Sequence, residues 1–216
     1  MKIKWLGHSC FLITSEKGTK LITDPYTVGA SINYAPIKES ADVVIVSHDH
    51  HSDHNNVSAV QGQPQIVKGS GIKNVSGIEF KGIATYHDKS QGKERGDNTI
   101  FCFTVDGIAL CHLGDLGHLL SQEQVASLGS VDILFIPVGG VFTINAAEAS
   151  QVCTQLRPKV IIPMHFKTPK CAYPISDVNI FLEGKEKVRQ WDKSEIEFQA
   201  GKLPAESEII VLPPAL

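Results

Sequence analysis

The sequence predicts an α/β protein in which two β-sheets pack together with helices outside. Three observations predict this. The first two thirds of the chain are short strand-like runs separated by Gly-bearing turns. The last third alternates such runs with helical patterns. No sequence repeat or low-complexity segment interrupts that order. A chain of 216 residues can bury a sizeable core, and it is treated as one domain over 1–216.

Lys2–Leu6, Cys10–Thr14 and Lys20–Thr23 read as the opening strands, and Glu16-Lys17-Gly18 is the clearest turn between them. Asp24-Pro25 ends the third, and a loop of small and turn residues runs to about Ser40. Asp42–Val46 is a continuous β-branched run, the pattern of a buried strand. A short helix is expected over 56–60. Strands follow at Gln65–Lys68, Ile78–Thr85, Thr99–Val105 and Ile108–His112, the last two joined through Asp106-Gly107, a strong hairpin signal. Asp88 to Asn98 is polar and Gly-containing, which predicts a surface loop with room to move.

Ser121–Leu128 predicts a helix, and Asp132–Pro137 a strand. Asn145 followed by Glu148 is an N-cap pattern opening a helix to about Leu156. Val160–Pro163 is a strand, and Asp177–Gln190 is partly helical with Gly184 its weak point. Ile196–Gln199 and Glu208–Leu212 close the chain.

Composition narrows the function. A net charge of −3 supplies no basic field for nucleic acid or an anionic membrane. No apolar run approaches a membrane span, and the start reads as a strand rather than a signal peptide. The five cysteines are odd in number and form no Cys-x-x-Cys pair, which favours free thiols in a reducing cytoplasm. The expected partner is a small molecule, with an anionic one among the options. No nucleic acid or membrane is expected, and room is left for a homo-oligomer.

The chemistry concentrates in Val46 to Asn55, VSHDHHSDHN, just past the buried strand. Four histidines fall within seven residues there. Neutral imidazole and carboxylate are the ligands that zinc, manganese and iron accept. A lone histidine is usually exposed or hydrogen-bonded, but four together are hard to explain in that way. His87, Asp115 and His165 each follow an apolar strand, so one arrangement recurs: a strand, then a metal-type residue at its exit.

With these residues in view the sequence resembles the metallo-β-lactamase superfamily. The resemblance rests on SHDHHSDH, His87, Gly114-Asp115 and His165, and extends to GHSCFLI, TDP, HLGDLGH, PVGG and PMHFKT. These details are similar to a branch of small cytoplasmic metal-dependent hydrolases that includes L-ascorbate-6-phosphate lactonase. The resemblance implies a four-layer αββα sandwich of two mixed sheets with helices on the outer faces. It also implies two divalent metal ions, zinc foremost and manganese or iron as alternatives. His48, His50 and His87 would bind the first metal, Asp53, His54 and His165 the second, and Asp115 would bridge.

The family pattern His-x-His-x-Asp-His is one residue shorter than the stretch found here. Anchored on the strand, His48 and His50 are the ligands, the extra residue bulges before Asp53, and His51 is spare. Anchored on Asp53-His54, the equivalents become Asp49 and His51. The strand-anchored register is preferred, because a loop absorbs an insertion more readily than a strand exit does. Asp24 matches a family aspartate that supports the site through hydrogen bonds. His8 and His118 could line the cleft or be structural, and the residues do not decide.

The implied reaction is hydrolysis of a small ester, lactone or phosphoester by a metal-activated hydroxide. Asp53 would orient the nucleophile and accept its proton, and Asp115 would be the second catalytic carboxylate. Lys93, Arg95, Lys167 and Lys170 are candidate anion holders, and Tyr86, Phe142 and Phe166 candidate walls. Gly139-Gly140 is either a close backbone approach or a plain turn. Cys111 and His112 are strand neighbours on opposite faces and cannot form a thiol dyad. A non-catalytic metal-binding or regulatory protein on the same fold is the competing reading.

Overall fold

The structure is a computed structural model, and it describes residues 1–29, 31–49 and 54–216. Two mixed sheets face each other. The first contains β1 (Lys2–Gly7), β2 (Cys10–Thr14), β3 (Lys20–Thr23), β4 (Val43–Val46), β5 (Gln65–Lys68) and β13 (Glu195–Glu197), in the order β13-β1-β2-β3-β4-β5. The second contains β6 (Gly71–Val75), β7 (Ile78–Tyr86), β8 (Asp97–Val105), β9 (Ile108–His112), β10 (Ile133–Pro137), β11 (Val160–Met164), β12 (Val188–Gln190) and β14 (Glu208–Val211). Its order is β12-β14-β11-β10-β9-β8-β7-β6. In each sheet one part is antiparallel and the other parallel.

Alternation along the strands builds the core between the sheets. Trp5, Phe11, Ile13, Val43 and Ile45 meet Phe101, Leu110, Phe135 and Ile162 in one buried cluster. Phe11 reaches across to Phe135, with ring centroids 4.5 Å apart. Opposite residues of the first sheet, Leu6, Ile22, Val44 and Val46, face a second cluster with Tyr26, Ile32, Tyr34 and Ile37. A loop therefore covers that outer face. The helices α1 (Gln122–Leu128), α2 (Ala146–Leu156) and α3 (Val178–Leu182) send Leu128, Val152 and Phe181 into the main cluster. The expected sandwich is present, with helices few. Ser121 and Asn145 cap α1 and α2 through reciprocal bonds with Gln124 and Glu148.

Two strands depart from the sequence expectation. Gly71–Val75 is an edge strand paired antiparallel with β7, and its largely exposed residues give no apolar alternation to read. Residues 177–190 hold only a five-residue helix, which stops before Gly184 (φ 70°), and then β12. The short helix expected over 56–60 is a 3-10 turn at Val57–Ala59.

The strands of both sheets deliver their ends to one edge. His8 follows β1, Asp24 follows β3, and Ser47 and His48 follow β4. From the other sheet, His87 follows β7, Asp115 lies three residues past β9, and His165 follows β11. Backbone bonds stitch the sheets together there: Thr99 N–H donates to Ser47 O (2.8 Å), and His165 N–H to His8 O (3.3 Å).

Candidate metal centre

Asp115 is the hub, 2% exposed, and four imidazoles converge on it. His87 Nε2 lies 3.1 Å from Oδ2, His165 Nε2 3.3 Å from Oδ2, and His54 Nε2 3.3 Å from Oδ1. His48 Nε2 is 3.9 Å from Oδ2. All four rings are buried. His48, His87 and His165 sit where a strand has just ended, so the sheets fix their backbone and only the side chain turns inward, whereas His54 lies eight residues past β4.

Buried polar groups hold this arrangement. Both Asp24 oxygens accept from Ser47, one from the amide and one from the hydroxyl, each at 2.7 Å. Ser47 Oγ also lies 2.8 Å from His48 Nδ1. With Asp24 ionised, the one hydroxyl proton is spent on it, His48 Nδ1 is then the donor, and its Nε2 presents a lone pair toward Asp115. On the other side, Asp115 N–H donates to Asn98 Oδ1 (3.0 Å), and Asn98 Nδ2 donates to Thr85 Oγ1 and Leu113 O. Gly114 makes this possible. It has φ 56°, and a Cβ there would lie 2.4 Å from Asn98 Oδ1 and 2.5 Å from Ser47 Cβ.

The electrostatics follow from burial. Burial alone would raise the Asp115 carboxyl, but His165 and His54 outweigh it and hold the group well below the usual range. Burial pushes His54 down, and His8 with it, so both are neutral at pH 7. Burial raises the Asp24 carboxyl well above the usual carboxylate range, against the pull of the two Ser47 bonds.

His8, undecided from the sequence, lies within the cluster. It is fully buried, and its ring centroid stands 4.1 Å from that of His165 and 4.9 Å from that of His54. Neither ring nitrogen has a hydrogen-bond partner among the described residues. His118 is the reverse case: Nδ1–H donates to Leu119 O, and Nε2 accepts from Tyr86 N–H (3.1 Å). The structural role, left open from the sequence, belongs to His118.

The cluster lines a cavity of about 260 Å³ together with Arg95, Phe142 and Tyr173. Tyr173 packs edge-on to Phe142 (5.4 Å), and the Arg95 guanidinium lies over the same Phe142 ring (5.7 Å). Sequence reasoning missed Tyr173, which carries no motif. The loop bearing Arg95 is tightly organised. The buried Asp88 carboxylate accepts from the backbone amides of Ser90, Gly92, Glu94 and Arg95. Burial pushes this carboxyl up, but the four amides outweigh it and hold it at about 2. The room to move expected of 88–98 is thus restricted by a built turn.

Other candidates find other places. Lys167 Nζ donates to Tyr173 O (2.8 Å) and Lys170 Nζ to Leu216 O (2.6 Å), and neither is among the residues that line the cavity. Phe166 is core against Trp5, and Tyr86 lies beside His118. Gly139 is a close approach, its N–H donating to His165 O (3.1 Å). Asp49 is turned outward to Lys68 Nζ (3.0 Å). His50, His51 and Asp53 lie outside the described residues. His112 accepts from Gly114 N–H at Nδ1 and donates to Ser9 O from Nε2, so it is satisfied without Cys111. Cys10, Cys102, Cys111 and Cys153 are free thiols. Among the described residues, no helix is long and apolar enough to cross a membrane.

A family model described as the beta-lactamase superfamily domain matches residues 2–165. A metal-dependent hydrolase from Carboxydothermus hydrogenoformans is 31% identical over 195 residues, 78% of this chain and 85% of the relative. One from Pyrococcus abyssi is 29% identical over the same shares. A crystal structure from Thermotoga maritima, taken to be a Zn-dependent hydrolase of the metallo-β-lactamase superfamily, is 36% identical. It superposes with a TM-score of 0.81 and covers 98% of this chain and 97% of that one. The narrower likeness to the lactonase rests on the sequence motifs alone.

Proposed function

The chain belongs to the metallo-β-lactamase superfamily and is a metal-dependent hydrolase of it; from that premise we propose that it holds two divalent metals, zinc foremost, and hydrolyses a small ester, lactone or phosphoester. One observation carries the reading: four buried imidazoles from both sheets converge on one buried carboxylate in the lining of a cavity. The donor set fits a metal. His54 and Asp115 keep ring and carboxylate atoms buried without a hydrogen-bond partner among the described residues. Such atoms are costly unless a ligand takes them up. His48, His50 and His87 would hold one ion, Asp53, His54 and His165 the other, and Asp115 would serve both. The outward turn of Asp49 favours the strand-anchored register.

Divalent metals supply a bound water of lowered pKa, from 15.7 to about 7, and polarise the electrophile. The chain's own residues do the rest. Ser47 and Asp24 set the His48 tautomer. Asp53 would orient the attacking water and take its proton. Phe142 and Tyr173 shield the cavity from bulk solvent.

Arg95 favours a substrate with a carboxylate or phosphate. Its guanidinium is the cation that lines the cavity among the described residues. Phe142 beneath it and the Asp88-bound backbone fix its place, and the exposed Glu94 carboxylate at 3.6 Å is a weak competitor. The test is a panel of esters, lactones and phosphoesters assayed before and after chelation. Turnover of a member of the panel should disappear with the metals and return on adding zinc or manganese. Stoichiometric metal with no turnover on the whole panel would count against the reading.

A further inference from the structure

We propose that His8 is a metal ligand, forming with His54 and His165 a three-histidine group at the second metal position. The inference rests on the proposed metal centre but adds a residue outside the seven that the motifs point to. Two independent observations meet here. Ligand nitrogens of His8, His54 and His165 all lie within 4.8 Å of one another. Zinc–nitrogen bonds of about 2.0–2.1 Å join such a set after small side-chain adjustments. The His8 ring is fully buried with both nitrogens lacking a hydrogen-bond partner, so a merely structural role leaves two polar atoms desolvated for nothing.

The backbone aims this ring rather than letting it fall there. His8 has φ 52° in the turn between β1 and β2. Its carbonyl accepts from His165 N–H (3.3 Å) and from Trp5 Nε1–H (2.9 Å). The preceding Gly7, at φ 142°, leaves its missing Cβ position 2.7 Å from the Tyr34 ring, so the turn is pinned from beneath. His165 is itself at φ 50°. Two non-glycine residues in this uncommon conformation, joined by a backbone bond, set their rings side by side. A rigid ligand in the turn after β1 would also let the site tolerate an extra residue in the histidine-rich loop, because His8, His165 and Asp115 do not depend on that loop.

The test compares wild type, His8→Ala, His8→Gln and the control His118→Ala. Metal per chain is read by elemental analysis after dialysis, and coordination by the visible spectrum of the cobalt(II)-loaded protein. The expected result is loss of about one metal in both His8 variants, or at least about a tenfold weaker second site, with an altered cobalt spectrum. Two metals retained with an unchanged spectrum would overturn the proposal and leave the hydrolase reading standing. One metal per chain in wild type, lost with His8, would support the ligand and contradict the binuclear reading. Should both variants fail to fold, zinc-edge anomalous diffraction of wild-type crystals reads the same point. Zinc within about 2.1 Å of a His8 ring nitrogen supports the proposal, and zinc bound with His8 out of bonding reach overturns it.

Discussion

His8 and His118 look alike in sequence. Each stands beside a glycine at a turn, and each could be a site residue or a structural one. The fold separates them. The His118 ring spends both nitrogens on backbone partners, whereas the His8 ring is sealed among other histidines with neither nitrogen hydrogen-bonded among the described residues. The difference teaches that chemistry shows in what a buried polar group leaves unspent. The same contrast separates Asp115, whose lone pairs face four imidazoles, from Asp88, whose lone pairs are consumed by four amides.

If unspent groups mark the site, their loss should be the most damaging. Asp115→Asn keeps the shape and removes the shared charge. It should cut turnover at least about a hundredfold and lower metal content, measured by steady-state kinetics and elemental analysis. A folded variant with near-wild-type turnover would break the comparison at its centre.

The next effect is on stability. His112 is satisfied and buried, and burial pushes it down to about 4 from the usual 6.5. Its folded form prefers to stay neutral, so its contribution is complete above about pH 6.5 and is lost as pH falls toward 4. The loss is roughly 3 kcal/mol. Denaturant unfolding of the metal-free protein across this range should show the slope, reduced in His112→Gln. An equal slope in both would remove His112 as its source.

Smaller effects sharpen the boundary between site and support. Ser47→Ala cuts the link between Asp24 and His48, and should weaken metal affinity about tenfold to hundredfold by calorimetry. Arg95→Met should lower the preference for 4-nitrophenyl hydrogen succinate over 4-nitrophenyl butyrate by about tenfold, with Arg95→Lys restoring part of it. An unchanged ratio would dismiss the anionic substrate. His118→Ala should cost only about 1 kcal/mol in stability and leave metal content intact.

Much of this was legible in the sequence. The β-branched run at Val43–Val46 and the apolar strands before His87 and His165 announced where the sheets end, and histidines at those ends were readable as a site. The rule of a strand followed by a metal-type residue also fits Gly7-His8, yet His8 stayed undecided, because turn conformation and burial are tertiary facts. Tyr173 and the choice of Arg95 over Lys167 and Lys170 were not legible. They depend on which side chains a loop turns inward, and no local pattern records that. Gly71–Val75 was missed because an edge strand with exposed residues has no apolar period.

The central claim is that the buried histidine–aspartate cluster is a metal centre. Metal per chain in the purified wild type and in His54→Ala tests it most directly, since His54 belongs to both candidate ligand groups. Close to two divalent metals are expected in wild type, and a clear loss in the folded variant. Wild-type protein that binds no stoichiometric metal, or a variant that keeps both ions, would contradict it.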